Sequence, residues 1–426
     1  MNKEILQQIM VDQRETFNQQ RYLIQRDVDL KHFIASNQIV VISGVRRCGK
    51  SSLLYLIKEE MSLSESKYCY FNFDDERIHL ETALLDQIYN LHIELFEEEP
   101  VLFFDEIQNV SGWERFLNRL YEKGLKIFVT GSNARLLSSE IATSLTGRNK
   151  VLALYPFSFS EYLRYLKRNV SLKHSTSKQK ALLQKDLNGY MEIGGFPLVI
   201  KDSDLEILNA YYQDILYRDI ISRFRLSQVH ELKELGLYLV SNISKRFSYS
   251  TLQKVTGIKS LSTLKDYLGY FEQSFLFFYL KKFDFSVKKQ VMNPKKVYCI
   301  DPAFANRLGF AFSKNAGRLT ENIVFLELLR RKQEVYYYQG KNECDFIIKK
   351  GMDVTDVIQV THTLTAENYD REINGLKEAM EKYDLQKGTL IVNDIDTSVE
   401  VKESFVRVMY MTQWLLPDSW DKVKNL

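Results

Sequence analysis

The run Gly44-Val45-Arg46-Arg47-Cys48-Gly49-Lys50-Ser51 constrains this chain more than any other feature. It fits the pattern G-x-x-x-x-G-K-[ST], which carries weight only between a buried strand and a helix. Both contexts are present. Ile39 to Ile42 is a β-branched run suited to a strand covered on both faces. Beyond the loop, Leu53, Leu54, Leu56 and Ile57 line a stretch expected to be helical from Lys50 to Glu60. Each residue type has a physical job. Glycine lets backbone N–H groups surround phosphate oxygens, and the helix N-terminus adds a favourable dipole. Lys50 is placed to carry charge to the β and γ phosphates of ATP, and the Ser51 hydroxyl to ligate Mg²⁺. Val45, Arg46, Arg47, Cys48 and Ser52 complete the expected nucleotide-binding set. Arg46 and Arg47 are expected to face solvent or pair with acids. Cys48 is the thiol a modifying reagent is expected to affect.

A second element reinforces the first. Val101-Leu102-Phe103-Phe104 is an apolar strand ending in Asp105 and Glu106. Asp105 is expected to hold Mg²⁺ and Glu106 to polarise an attacking water. A further strand, Tyr68 to Phe73, lies between the two motifs. That order belongs to ATPases with an added strand. By analogy with that class, Ser132 or Asn133, after the strand at Ile127 to Val129, is expected to sense the γ-phosphate. Arg148 is a candidate for transition-state charge stabilisation, within one chain or across a subunit boundary. A solvated loop arginine is the rival reading.

At 426 residues the chain is too long for one ordinary core and predicts two or three domains. Net charge is +3, so a basic patch for nucleic acid would have to be local. The N-terminus lacks a signal layout, and no apolar run approaches the roughly 20 residues that span a bilayer. The expectation is a cytoplasmic protein with no membrane partner. The cysteines at 48, 69, 299 and 344 have no paired metal-ligand spacing.

Strands alternate with helices up to about residue 154, which predicts a parallel sheet. Pro156 ends that pattern. A mainly helical region follows, with an exposed loop expected over 171–180. Ser250 to Val255, Gly257 and Ser262 to Phe271 then read as helix, turn and helix. The strand-like Phe275 to Leu280 leads into Lys281, Lys282, Lys288 and Lys289, which suggests a wing. Strand signals at Val297, Val335, Asp345, Val357 and Thr389, with intervening helices, predict a second α/β domain.

The chain resembles prokaryotic AAA-type ATPases whose P-loop domain precedes a C-terminal domain of unknown function. GVRRCGKSSLL at 44–54, LFFDEIQNVSGWERFLNRLYE at 102–122 and IFVTGSNARLLSSEIATSLTGR at 127–148 carry the resemblance. YPFSFSEYL at 155–163, GGFPLV at 194–199, VYCIDPAF at 297–304 and ECDFIIKK at 343–350 extend it over nearly the whole chain. It implies three parts, an ATPase, a winged-helix segment and a restriction-endonuclease-like domain, and with the helical region the α/β chain is expected to divide into a P-loop core with an added strand (1–156), a helical region (157–224), a winged-helix-like segment (225–290) and a restriction-endonuclease-like domain (291–426). It also implies ATP and Mg²⁺ as cofactors. The winged-helix segment is expected to hold double-stranded DNA or a protein, and oligomers are compatible with it. In nucleases of that type an Asp and a Glu-x-Lys hold the metal. Here Asp345 stands in place, but Gln359 and Thr361 occupy the Glu and Lys positions. A neutral amide is a poor ligand for a hard cation, so nuclease activity is not expected.

Overall fold

The computed structural model describes residues 2–19, 23–134, 145, 147–168, 176–309 and 316–416. The chain divides into two compact units, 1–156 with 273–275, and 157–272 with 276–426. Among the described residues no helix is long and apolar enough to cross a membrane.

The first unit is built on five parallel strands: β1 (Ile39–Ser43), β2 (Tyr68–Asn72), β3 (Val101–Asp105), β4 (Ile127–Gly131) and β5 (Asn149–Ala153). Their spatial order is β2-β3-β4-β1-β5. All five residues of β1 and of β4 are buried, as continuous apolar runs require. Phe103 and Phe128 stack across β3 and β4 at 5.2 Å, which helps fix that register. The helices Lys50–Glu60, Thr82–Phe96 and Trp113–Glu122 return the chain between parallel strands. In the last, Trp113, Phe116, Leu117 and Leu120 form one buried face. Because β4 lies between β1 and β3, the phosphate loop and the Asp-Glu pair leave the same sheet edge one strand apart.

A helix at Lys3–Asn18, not foreseen from the sequence, buries Leu6, Ile9, Met10, Gln13 and Phe17. Gln13 deals with the open edge of β2. Its Oε1 accepts the Asn72 N–H at 2.8 Å, and its Nε2 donates to the Asn72 carbonyl at 3.1 Å. The side-chain amide thus does the work of a neighbouring strand.

The second unit opens with helices. Residues 171–175 of the expected loop lie outside the described residues, but from Ser177 the chain is helical to Ile193. The cause is a capping box. Thr176 Oγ1 accepts the Gln179 N–H, and Gln179 Oε1 accepts the Thr176 N–H at 2.8 Å. Further on, the helices Tyr249–Thr256 and Leu261–Gln273 flank the turn at Gly257. Around them β6 (Arg246–Phe247), β7 (Phe277–Lys281) and β8 (Lys295–Cys299) form an antiparallel sheet ordered β6-β8-β7.

The C-terminal sheet is mixed, in the order β13-β12-β11-β10-β9. β9 (Glu334–Gln339), β10 (Glu343–Lys350) and β11 (Asp353–Leu364) are antiparallel neighbours. β12 (Gly388–Ile395) and β13 (Val406–Tyr410) add in parallel, the helix Tyr369–Tyr383 crossing from β11 to β12.

Asp301 pins the helical part of this unit. Its carboxylate accepts the Gly195 N–H at 2.7 Å and the Ala303 N–H at 2.9 Å. Burial raises this carboxyl to about 7, against the pull of those two N–H groups. The fold therefore favours the protonated form over the unfolded chain. The stabilisation this gives is complete in acid and is lost as pH climbs through the folded value. Asp301→Asn should flatten the pH dependence of the melting temperature between about pH 4 and 7. Parallel melting profiles for the two proteins would remove Asp301 from this account.

Candidate functional site

The loop after β1 is shaped by two close constraints. A Cβ on Gly44 would stand 2.1 Å from the Leu154 carbonyl oxygen, so no larger residue fits there. Gly49 caps the helix Lys50–Glu60 at a φ of +100°, a left-handed conformation. The first backbone N–H groups of that helix have no partner inside it. Arg26 braces the loop from beneath, Nη1 donating to the Cys48 carbonyl at 3.1 Å and Nη2 to the Tyr155 carbonyl at 2.6 Å. Sequence reasoning missed Arg26, which lies outside the motif.

Lys50 is 5% exposed. Its ammonium lies 3.2 Å from Glu106 Oε1 and donates to the carbonyls of Gly44 at 3.2 Å and Val45 at 3.4 Å. Asp105 is equally engaged. One oxygen accepts the Thr130 hydroxyl and the other accepts the Tyr70 hydroxyl at 3.2 Å, while the Ser51 hydroxyl helps to stabilise the charged form. Glu106 sits at a φ of 55°, a conformation unusual for a non-glycine residue and often met at functional sites. Its N–H donates to Thr130 Oγ1 at 3.0 Å, and its second oxygen accepts Gln108 Nε2 at 2.5 Å. Thr130 thus organises both acids, and Tyr70 one of them. Neither was foreseen, because threonine and tyrosine in strands look like ordinary β-formers.

These contacts separate the two acids. Burial pushes both upward. For Asp105 burial prevails, helped by the neighbouring negative charge of Glu106. For Glu106 the charges of Lys50 and Arg46 and the Gln108 bond overcome it and hold the carboxyl at about 2. Burial alone would depress Lys50, but Glu106, Cys48 and Asp105 outweigh it and keep the ammonium above its usual range.

The remaining expected residues fall differently. Val45 is buried, Ser52 half-buried and Arg47 exposed. Arg46 pairs with Asp74 at 3.2 Å. Ser132 and Asn133 are buried directly after β4, where the Asn133 carbonyl accepts the Ser43 hydroxyl at 2.8 Å. They stand at the same sheet edge as the phosphate loop. Arg148 does not. Its carbonyl accepts the Ile39 N–H at 2.8 Å at the start of β1, and its guanidinium pairs with Glu122 at 3.0 Å. The length of β1, about 13 Å over four steps, separates it from the loop. Arg148 is paired with Glu122 and is not among the residues the structure gathers at the loop. Residues 135–144 and 146, which complete the motif stretch before it, lie outside the described residues.

Cys48 also departs from expectation. It is fully buried, with Sγ 3.5 Å from the Leu154 carbonyl, and burial raises its thiol. Thiol-reactive dye should leave Cys48 unlabelled in the native protein and label it fully in denaturant. Native labelling at Cys48, read by peptide mass, would contradict the buried loop.

A second charged cluster lies in the other unit. The Lys296 ammonium, 1% exposed, meets Glu343 at 2.7 Å, Asp345 at 2.8 Å and Glu321 at 2.9 Å. The Tyr298 hydroxyl donates to Glu321 at 2.6 Å, and Asp345 Oδ2 accepts the Val360 N–H at 3.0 Å. Gln359 bonds the Asp345 N–H through Oε1 and Glu372 through Nε2 at 2.6 Å. Thr361 Oγ1 donates to the Thr363 carbonyl. Burial, followed by the charge of Asp345, raises Glu321 to about 8. Lys296 stays well above its ordinary range because the surrounding carboxylates outweigh its own burial. The positive charge that a metal ion would bring to these acids comes here from a lysine on β8.

A family model for AAA domains matches residues 36–163, and two models for domains of unknown function match 184–315 and 316–414. An uncharacterized protein of Methanocaldococcus jannaschii is 34% identical, over 98% of this chain and 96% of the relative. The chain belongs to this family of AAA proteins. A Haemophilus influenzae relative, also uncharacterized, is 32% identical over 91% of this AAA chain and 96% of its own length. Among solved structures, the Thermotoga maritima RuvB Holliday junction branch migration motor aligns with 62% of this chain and 93% of its own. That likeness has 16% identity and a TM-score of 0.30.

For this AAA protein, Lys296→Met takes the cation from the buried Asp345 and the largely buried Glu321, while Glu343 keeps Arg246. The expected cost is about 3–5 kcal/mol of stability, read by chemical denaturation. A change under about 1 kcal/mol would show that the acids find another partner.

Proposed function

We propose that the chain is a Mg²⁺-dependent ATP-binding protein, a slow ATPase that acts as a nucleotide-controlled switch. The observation that carries this reading is the convergence of Lys50, Ser51, Asp105 and Glu106 at one edge of the parallel sheet. The donor set suits Mg²⁺, which keeps most of its waters and takes few protein ligands. Ser51 Oγ and the Asp105 carboxylate would hold it. When bound, Mg²⁺ supplies charge that neutralises the phosphates.

The chain's own residues do the rest. While Glu106 is paired with Lys50 its carboxylate is a poor proton acceptor. A phosphate that takes the Lys50 ammonium leaves Glu106 less stabilised as an anion and so more basic. Substrate binding would thereby prepare the base that orients and deprotonates water. The loop N–H groups orient the phosphates, and Ser132 or Asn133 reads the γ-phosphate from the adjacent strand end. Arg148 contributes only across a subunit boundary, which requires an oligomer.

The same reading divides the chain at 156, 224 and 290, with 225–290, completed by β8, as a winged-helix-like segment. The 291–426 domain is structural in this reading, since its acids are engaged by Lys296. A cytoplasmic setting accords with the site's need for ATP.

The test is ATP turnover by the wild type beside Lys50→Ala and Glu106→Gln. Lys50→Ala should lose nucleotide binding. Glu106→Gln should keep ATP binding and lose roughly 10²–10⁴-fold in turnover. A Glu106→Gln protein as active as wild type would take the base role from Glu106. A wild type that binds no ATP would end the proposal.

A further inference from the structure

Charge is unevenly distributed along this chain. Residues 245–296 hold eleven Lys and Arg against three Asp and Glu, a net of +8 in a chain whose total is +3. Lys296 is consumed internally, and Arg246 is held by Glu343 and Gln339. Lys254, Lys259, Lys265, Lys281, Lys288 and Lys289 are exposed. The opposing acids are few: Asp266 and Glu272 on the second helix, and Asp284, which lies 3.8 Å from Lys289.

The connection between β7 and β8 adds a different feature. Phe285 is 74% exposed, Val287 72% and Met292 74%. Side chains so exposed project from a surface instead of lining a recess. Their support is well built. Phe283, itself buried, meets Phe285 and Tyr336 edge-on at 5.3 Å and Tyr383 at 5.2 Å. Asp284 accepts the Ser286 N–H at 2.8 Å, and Gln290 donates to the Asp284 carbonyl at 2.6 Å. A fixed apolar knob therefore stands beside Lys288 and Lys289.

We infer that this face binds double-stranded nucleic acid, with the lysines on phosphates and Phe285 and Met292 as an apolar wedge between base steps. Broad positive charge combined with a localised apolar projection is what a groove-inserting protein needs. Lys254 on the helix Tyr249–Thr256, Lys259 after it and Lys265 on the helix Leu261–Gln273, the last beside Asp266, add exposed lysines outside the knob. A flat bilayer touching the knob alone would leave those lysines unused. The inference names a partner for the switch proposed above. It rests on that reading only for coupling to ATP, since the surface does not involve Lys50.

The test is fluorescence anisotropy of a short labelled DNA duplex against the full chain over a salt series. Lys288→Gln with Lys289→Gln should weaken binding about tenfold or more and make the logarithmic salt slope shallower by about two. Phe285→Ala with Met292→Ala should weaken binding about tenfold and leave the slope unchanged. All four residues are exposed, and circular dichroism checks that each variant is folded. No duplex binding at low salt, or variants that bind like wild type, would overturn the inference. Capture of anionic vesicles or an acidic peptide in place of DNA, lost in the same variants, would overturn it too. Lys50→Ala separates the two proposals. If it binds duplex but no longer responds to ATP, both stand. If the wild type binds duplex and no ATP, the switch falls and the surface remains.

Discussion

Parallel pairing of β3, β4 and β1 is the constraint on which the site depends. Parallel strands all end at the same edge, so Ser43, Asp105 and Gly131 are delivered together. From that edge the phosphate loop turns inward over Leu154, and Glu106 turns back on a left-handed residue to meet Lys50. One buried ammonium between loop carbonyls and a carboxylate then holds the loop and the acid strand to each other. The cost of burying that charge is met by acceptors on several sides, which is why the arrangement specifies one geometry.

The two charged clusters show the same physics used for different ends. Lys50 is buried between two carbonyls of its loop and the carboxylate of Glu106. Lys296 is paired with three carboxylates, one of which also accepts the Tyr298 hydroxyl.

Much of the architecture was legible in the residues. The helix Lys50–Glu60 lies where apolar periodicity predicted it, and β1 to β4 follow their β-branched and aromatic runs. What could not be read depended on register or on distant contacts. Thr130 matters because β4 sets it opposite the end of β3. Arg148 follows a motif in sequence yet lies at the amino end of β5, and sequence proximity does not say which end of a strand a residue occupies. Cys48 belongs to a loop near the surface, but its sulfur turns toward a backbone carbonyl. Lys296 comes from a strand 49 residues away from Asp345, so no local spacing announces it. The helix Lys3–Asn18 did carry a signal, since Leu6, Ile9, Met10, Gln13 and Phe17 repeat at helical intervals.

That helix has a consequence for how the chain must be handled. Gln13 occupies the hydrogen-bonding edge at Asn72, and Phe17 stacks on Tyr70 at 3.9 Å. A chain begun after Asn18 would uncover the end of an aromatic strand with its amide and carbonyl free, and a bare strand edge recruits strands from other molecules. The helix Lys3–Asn18 therefore belongs to the sheet as its edge cover, and the strand end at Asn72 is finished only with it in place.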